Sequence, residues 1–223
     1  MNFAIIVAAG SGSRFGADEP KQFAVLAGKP LIFHTIEQFQ ACSTIDSIVL
    51  VVSESGCEKF ARLNPEFSKL QNLVTGGATR AESVRNGLAA IGANDDDIIA
   101  VHDGARPLVT VDEITRTVEK AAETGAACLV VPVVDTIKEV AADGIVRTID
   151  RSNLRRALTP QAFRFDILKK AFDGADVTES ITDECSLVER LGVPIAIVEG
   201  GAQNIKITQQ QDIAIAEALL ETN

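Results

Sequence analysis

The sequence contains no tryptophan and no tyrosine, only two histidines, and four cysteines with no C-x-x-C pair among them. Each shortage closes a class of function. A base-stacking platform for single-stranded nucleic acid draws on aromatic side chains, which are scarce here. His34 and His102 alone are too few for a His-built metal centre or a Ser-His-Asp constellation. Cys42, Cys57, Cys128 and Cys185 are scattered, which predicts reduced, mostly buried thiols. No apolar stretch approaches the roughly 20 residues of a membrane span. The N-terminus lacks the basic start and cleavage site of a secretory signal, so the expected location is the cytoplasm. Positive charge is also in short supply: 21 Lys and Arg stand against 31 Asp and Glu, a net charge of -10. That balance argues against a nucleic-acid groove or an anionic membrane as the main partner. It also makes any basic residue beside a glycine-rich turn more informative.

Such residues occur at once. The apolar run Phe3-Ala4-Ile5-Ile6-Val7 breaks into Ala8-Ala9-Gly10-Ser11-Gly12-Ser13-Arg14-Phe15-Gly16 and then Pro20-Lys21-Gln22-Phe23. A buried strand feeding this loop lets backbone N-H groups approach an anion closely, while Arg14 and Lys21 add full charges where the loop would wrap a polyphosphate. The glycines also fit a dinucleotide fingerprint loosely, but that fold needs a helix directly after them and an acidic strand end about 20 residues on. Pro20 breaks such a helix, and residues 30–39 carry helical, not strand, apolar spacing. The expected ligand is a nucleoside triphosphate.

Strand-like runs at 3–7, 47–52, 98–101, 127–131 and 195–198 alternate with helical patterns. Thr79 with Glu82, Thr110 with Glu113, and Thr208 with Gln211 have the spacing of capping boxes. Near-continuous apolar strands separated by helices predict an α/β fold, a doubly wound and mostly parallel sheet covered on both faces. Ligands then bind beyond the carboxyl ends of the strands, where the charged loops fall. One segment breaks the alternation: residues 136–140 and 145–150 flank an Asp143-Gly144 turn and read as a hairpin. An isolated hairpin is marginal in water, so a second copy of the chain is the economical partner; the alternative is an edge extension folded over its own sheet. The expected organisation is therefore one domain over 1–223 with an inserted arm at 135–156.

Three further loops carry charge. In Gly76-Gly77-Ala78-Thr79-Arg80-Ala81-Glu82-Ser83, the two glycines permit close approach of a base or phosphate. Ser83 and the first-turn N-H groups can hydrogen-bond that ligand, and Arg80 offers a forked cation. The same residues also make a good helix start. His102-Asp103-Gly104-Ala105-Arg106-Pro107 ends a strand with a carboxylate suited to Mg²⁺, ribose or a second phosphate, the alternative being an Asp103–Arg106 ion pair. His102 reads as a packed or hydrogen-bonded residue, not a catalyst. Arg151 and Lys206 sit in polar motifs flanked by apolar residues, at an edge between core and cleft, whereas Arg155 and Arg156 read as a solvated charge run.

Taken in order, Ala8-Ala9-Gly10-Ser11-Gly12-Ser13-Arg14, Pro20-Lys21-Gln22, Gly76-Gly77, Asp103-Gly104-Ala105-Arg106-Pro107, Leu158-Thr159-Pro160-Gln161, Thr182-Asp183-Glu184 and Asn204-Ile205-Lys206 span essentially the whole chain. The set resembles the cytidylyltransferases of the non-mevalonate isoprenoid pathway, which join 2-C-methyl-D-erythritol 4-phosphate to CTP. The resemblance implies a nucleotidyltransferase domain of the glycosyltransferase-A-like kind, a homodimer formed through an extended arm, and a Mg²⁺ requirement with the ion held mainly by CTP phosphates and Asp103 as one candidate ligand. It implies transition-state stabilisation by Arg14 and Lys21 and capture of the sugar phosphate by Arg151 and Lys206. Ala8, Ala9, Gly10, Gly77, Ser83 and Ala105 would surround CTP, joined by Gly12, Ser13, Gly76 and Arg80 from the loops above. Asp103, Arg106, Thr136, Thr159 and Thr182 would line the substrate side, with Arg151 and Thr159 reaching across the dimer. Where this chain has Gly104, many relatives carry Ala, which removes no functional group.

The implied reaction needs no general base, because a phosphate monoester with a second pKa of about 6 is already largely ionised near neutral pH. Two other readings share much of the pattern. A ribitol 5-phosphate cytidylyltransferase has the glycine loop and the Pro-Lys-Gln element, although the opening loop and Thr182-Asp183-Glu184 look more like the erythritol enzyme. A non-catalytic CTP-sensing module would keep the glycines, but binding alone does not call for both Arg14 and Lys21.

Overall fold

The computed structural model of the chain describes residues 1–10, 12, 15–16, 20–142, 144, 146–177, 181 and 183–222. The opening apolar run forms β1 (Asn2–Ala8). After the glycine loop, Pro20 starts a short 3-10 turn, Lys21–Phe23, and a small hairpin of β2 (Val25–Leu26) and β3 (Lys29–Pro30) leads into α1 (Leu31–Ala41). There follow β4 (Ser47–Val52), α2 (Glu54–Leu63), β5 (Leu70–Thr75), α3 (Arg80–Ala89), β6 (Ile98–Asp103), α4 (Val111–Thr124) and β7 (Ala126–Pro132). Then come β8 (Ile137–Val140), β9 (Val146–Ile149), β10 (Arg155–Arg164), α5 (Phe165–Asp173), α6 (Glu184–Glu189), β11 (Ala196–Glu199) and α7 (Gln211–Glu221).

The main sheet has seven strands in the order β11-β7-β10-β6-β1-β4-β5. All pairings are parallel except those of β10, which runs antiparallel between β6 and β7. The mostly parallel α/β sheet read from the sequence is therefore present. Alternation along β1 shows why it is covered on both faces. Ile5 joins Val49, Val51, Ile99 and Val101 against α3, α5 and α6, while Ala4 and Ile6 join Ile48, Leu50 and Ala100 against α1 and α4. Each fully buried Ile or Leu in these layers contributes about 1.5–3 kcal/mol, which fixes the strand register that aims the loops.

The capping boxes at Thr79–Glu82 and Thr110–Glu113 form in full. The third does not. Thr208 donates its hydroxyl and its N-H to the Asp212 carboxylate, which also accepts from Gln209 N, and α7 starts at Gln211 with no side-chain cap. The short β2–β3 hairpin and two strands of the main sheet are not marked by the sequence pattern. β5 is a largely exposed edge strand with broken alternation, and β10 begins with exposed Arg155 and Arg156 and carries Pro160, normally a sign against a central strand. A bulge resolves the conflict, since pairing with β7 stops at Ala157 and resumes at Gln161.

The hairpin is a separate two-stranded sheet, β8 with β9, whose Val140 and Val146 are exposed along with nearby Val134. Lys138 donates to Thr148 Oγ1 at 2.6 Å, and Arg147 pairs with Glu139. Asp143 of its expected turn lies outside the described residues. Among the described residues, no helix is long and apolar enough to cross a membrane.

Candidate active site

A cavity of about 540 Å³ opens at the carboxyl ends of β1 and β6. On one side are Ala8, the last residue of β1, and Ala9, Gly10 and Gly12 from the loop that follows it. Gly12 has a φ of +65°, and a Cβ on it would lie 3.3 Å from Lys21 Cγ. A side chain here would be strained by the backbone and crowded by the lysine stem. Lys21 lies on the same wall, with Nζ donating to Ile207 O at 3.0 Å. Ile207 N in turn donates to Ala105 O at 2.8 Å, so the segment carrying Lys206 is tied to the loop after β6.

The opposite wall is the start of α3. A Cβ on Gly76 would fall 2.3 Å from Ala9 Cβ and 2.7 Å from Ser83 Oγ, and one on Gly77 would fall 2.4 Å from Glu82 Cβ. Both glycines are needed for this close approach. Gly77 lines the cavity, and Gly76 packs against Ala9 and Ser83 of that wall. Gly77 N donates to Ser83 Oγ at 3.1 Å, and the hydroxyl donates onward to Thr79 O at 2.9 Å.

At the centre is a charge cluster built from distant parts of the chain. Asp103 Oδ1 accepts from Arg80 Nε at 3.0 Å, and Oδ2 lies 2.8 Å from Lys206 Nζ and 3.5 Å from Arg106 Nε. Arg80 Nη1 donates to Glu184 Oε1 at 2.6 Å. Burial by itself would raise the Asp103 pKa, but Arg80, Lys206 and Arg106 outweigh it and hold the carboxyl well below the usual carboxylate range. Burial opposes the charge on Arg80 too, and Glu184 and Asp103 reverse that, raising its pKa. Glu184, fully buried, is pushed up by burial despite Arg80. It is anchored through its backbone, since Gln161 Oε1 accepts from Glu184 N and Cys185 N at 3.1 Å each while Gln161 Nε2 donates to Asp183.

Behind Asp103 runs a directed chain of hydrogen bonds. Arg106 O, an acceptor only, lies 3.2 Å from His102 Nε2, so that nitrogen carries the proton. Nδ1 then accepts from Thr159 Oγ1 at 3.0 Å, and Thr159 Oγ1 accepts from Asp103 N at 3.1 Å. Burial pushes the His102 pKa down to about 3, and both nitrogens are engaged, so His102 is a neutral brace and not a base.

Of the residues expected from the sequence, the cavity wall gathers Ala8, Ala9, Gly10, Gly12, Lys21, Gly77, Arg80, Ser83, Asp103, Ala105 and Lys206. Others lie elsewhere. Thr159 is buried, its hydroxyl is bonded to His102 and Asp103, and it is not part of the cavity wall of its own chain. Arg106 lies beneath Asp103 with Nη1 on Asn204 O at 2.8 Å, a buttress in place of a lining residue. Thr136 and Arg151 are exposed beside the hairpin, where Arg151 donates to Val134 O. Ser13, Arg14 and Thr182 lie outside the described residues. Sequence reasoning missed Glu184 and Gln22 as parts of the site; both stood inside quoted motifs, but neither carried a local signal of its role.

Asp103 is a poor fit for a resident Mg²⁺ ligand. Each of its oxygens already faces a cation, and no group of three or more His, Cys, Asp and Glu among the described residues could hold a metal. A protein-held Mg²⁺ site normally draws on one or two carboxylates that are free to coordinate.

A glycine-rich, cation-lined cavity at the carboxyl ends of parallel strands defines a nucleotide-binding α/β protein. Comparison with known proteins sharpens this. Residues 2–222 match the family model of 2-C-methyl-D-erythritol 4-phosphate cytidylyltransferase. Curated enzymes of that name from Chromobacterium violaceum and Syntrophus aciditrophicus are 45% and 42% identical, the alignments covering 97% and 98% of this chain and 96% and 95% of theirs. The crystal structure of the Francisella tularensis enzyme of the same name superposes with a TM-score of 0.81 at 34% identity, over 97% of this chain and 98% of that one. The chain belongs to the 2-C-methyl-D-erythritol 4-phosphate cytidylyltransferase family.

Proposed function

We infer that this protein transfers CMP from CTP to 2-C-methyl-D-erythritol 4-phosphate and releases pyrophosphate. The observation that carries the reading is a cavity combining a glycine loop with Lys21, Arg80 and Lys206 and offering no general base, since His102 is neutral and enclosed. That is the inventory for attack by an already ionised phosphate on the α-phosphorus of CTP, where the obstacles are repulsion between two anions and charge growing on the bridging and leaving oxygens. In this reading Lys21 and Arg14 act on the triphosphate. Ala8, Ala9, Gly10, Gly12, Gly76, Gly77, Arg80, Ser83 and Ala105 surround the nucleotide, with Ser13 from the same loop. Lys206 and Asp103 face the acceptor phosphate and its hydroxyls, while Arg106 and Thr159 support Asp103. Thr182, Thr136 and Arg151 complete the acceptor side, the last two from the hairpin of a second subunit, because in their own chain they stand outside the cavity wall. The hairpin is thus a dimerisation arm on a single catalytic domain. Mg²⁺ belongs to the nucleotide phosphates and not to the chain. The four unpaired cysteines support a cytoplasmic location.

The test is pyrophosphate release with CTP and either 2-C-methyl-D-erythritol 4-phosphate or ribitol 5-phosphate. The erythritol substrate should be used at least about a hundredfold more efficiently in kcat/KM, within the range open to a pocket built on hydroxyl recognition. Equal use of both, or tight CTP binding with no release, overturns the assignment.

A further inference from the structure

Gln22 takes no part in the cluster around Asp103. It follows Lys21 in the 3-10 turn, lines the cavity and is only 2% exposed. Its amide Nε2 is sealed from solvent and has no hydrogen-bond partner among the described residues. The residues on either side are accounted for. Lys21 donates to Ile207 O, and Phe23 is buried with Ala4, Ile6 and Val52.

A buried donor without an acceptor costs stability, and an apolar side chain of the same length would remove the cost. Methionine would fill the same space. An amide kept in a cavity wall under that penalty has its partner on the cavity side. We infer that Gln22 is a substrate-contacting residue whose amide donates a hydrogen bond to a phosphate oxygen of the bound triphosphate. This rests on reading the cavity as the CTP site. The orphan atom is a donor, so the occupant must supply an acceptor, and phosphate oxygens only accept. Gln22 shares its stretch of wall with Gly12 and Lys21, the residues best suited to a polyanion. Rotation about the terminal side-chain bond, a broad torsion, turns the amide nitrogen to the cavity with no movement of the backbone. Lys21 and Gln22 would then present a cation and a neutral donor to one polyphosphate.

The experiment pairs thermal stability of the ligand-free enzyme with calorimetric titration of CTP for wild type, Gln22→Met and Gln22→Glu. The expected result for Gln22→Met is a Tm equal to or above wild type together with CTP binding weakened about tenfold or more, the loss of a hydrogen bond to a charged group. Gln22→Glu should bind CTP more weakly still, because a carboxylate cannot donate and repels phosphate. Wild-type affinity in Gln22→Met overturns the inference, as does a lowered Tm accompanying the lost affinity, which would mark a packing role. CTP binding in Gln22→Glu as good as in Gln22→Met would show that the amide does not face an anion. If wild type itself binds no CTP, the cavity assignment fails first and this inference falls with it.

Discussion

Acid should destabilise this protein through His102 before carboxylates of ordinary pKa titrate, with buried Glu184, whose pKa is raised, opposing the effect. The folded-state pKa of about 3, against 6.5 in an ordinary setting, means that the unfolded chain binds more protons than the native one between those limits. Stability is therefore fully present above about pH 6.5 and falls as the pH drops toward 3. The slope reaches about 1.4 kcal/mol per pH unit, so roughly 2 kcal/mol is lost between pH 6.5 and 5, or about 4–8 °C in Tm for a chain of this size. His34, also lowered chiefly by burial, adds to the same limb, so the contribution of His102 has to be isolated by substitution. His102→Gln keeps a donor for Arg106 O and removes the titration. It should be less stable than wild type at pH 8 by about 1–3 kcal/mol, because Thr159 loses its acceptor. It should also have a visibly flatter profile between pH 6.5 and 5. Urea midpoints at half-unit pH steps, with m held constant, measure both effects. Equal slopes in the two proteins would show that native His102 takes up a proton in this range, and the neutral brace behind Asp103 would have to be abandoned.

Lys21→Ala should lower kcat by about a hundredfold to a thousandfold while KM for CTP changes far less, as for loss of one donor that acts on developing charge; steady-state pyrophosphate release measures the split, and near-normal kcat would remove Lys21 from the chemistry. Glu184→Ala should cost about 3 kcal/mol, the lower end for breaking a buried pair, because Asp103 still holds Arg80. Glu184→Gln, which keeps an acceptor, should lose less in the same urea titration. Mixing an Arg151→Ala chain with a Lys21→Ala chain should restore part of the lost activity through hybrid dimers, and verified hybrids with no recovery would place the whole site in one subunit.

The sequence was most legible where the physics is local. Thr79 and Thr110 cap their helices because a hydroxyl and a glutamate three residues on satisfy each other within one turn. The same spacing at Thr208 misled, because Asp212 competes for the Thr208 N-H and hydroxyl. The glycine loops and their cations were visible through composition against an acidic background. The partnership of Arg80 with Glu184 was not, since 104 residues separate the pair and neither helical nor strand periodicity marks it. Thr159 shows the same limit. Its motif was recognised, but which way its hydroxyl turns is decided by a bulge that the sequence does not announce and by His102 on the neighbouring strand.

The cluster around Asp103 also explains how a chain with net charge -10 keeps several cations together before any phosphate arrives. Arg80, Lys206 and Arg106 all lie within 3.5 Å of one carboxylate, and without it their mutual repulsion in a half-buried wall would splay them into solvent. Asp103 thus preorganises positive charge in the place an anionic ligand is to occupy. The surrounding acidic surface disfavours anions elsewhere on the molecule, so a polyanion is attracted only where this local excess outweighs the background. In the proposed reaction Lys206, the most exposed of the three, would exchange the carboxylate for the incoming phosphate. Arg80 and Arg106 are pinned by Glu184 and by the Asn204 carbonyl and hold Asp103 in place while it does so.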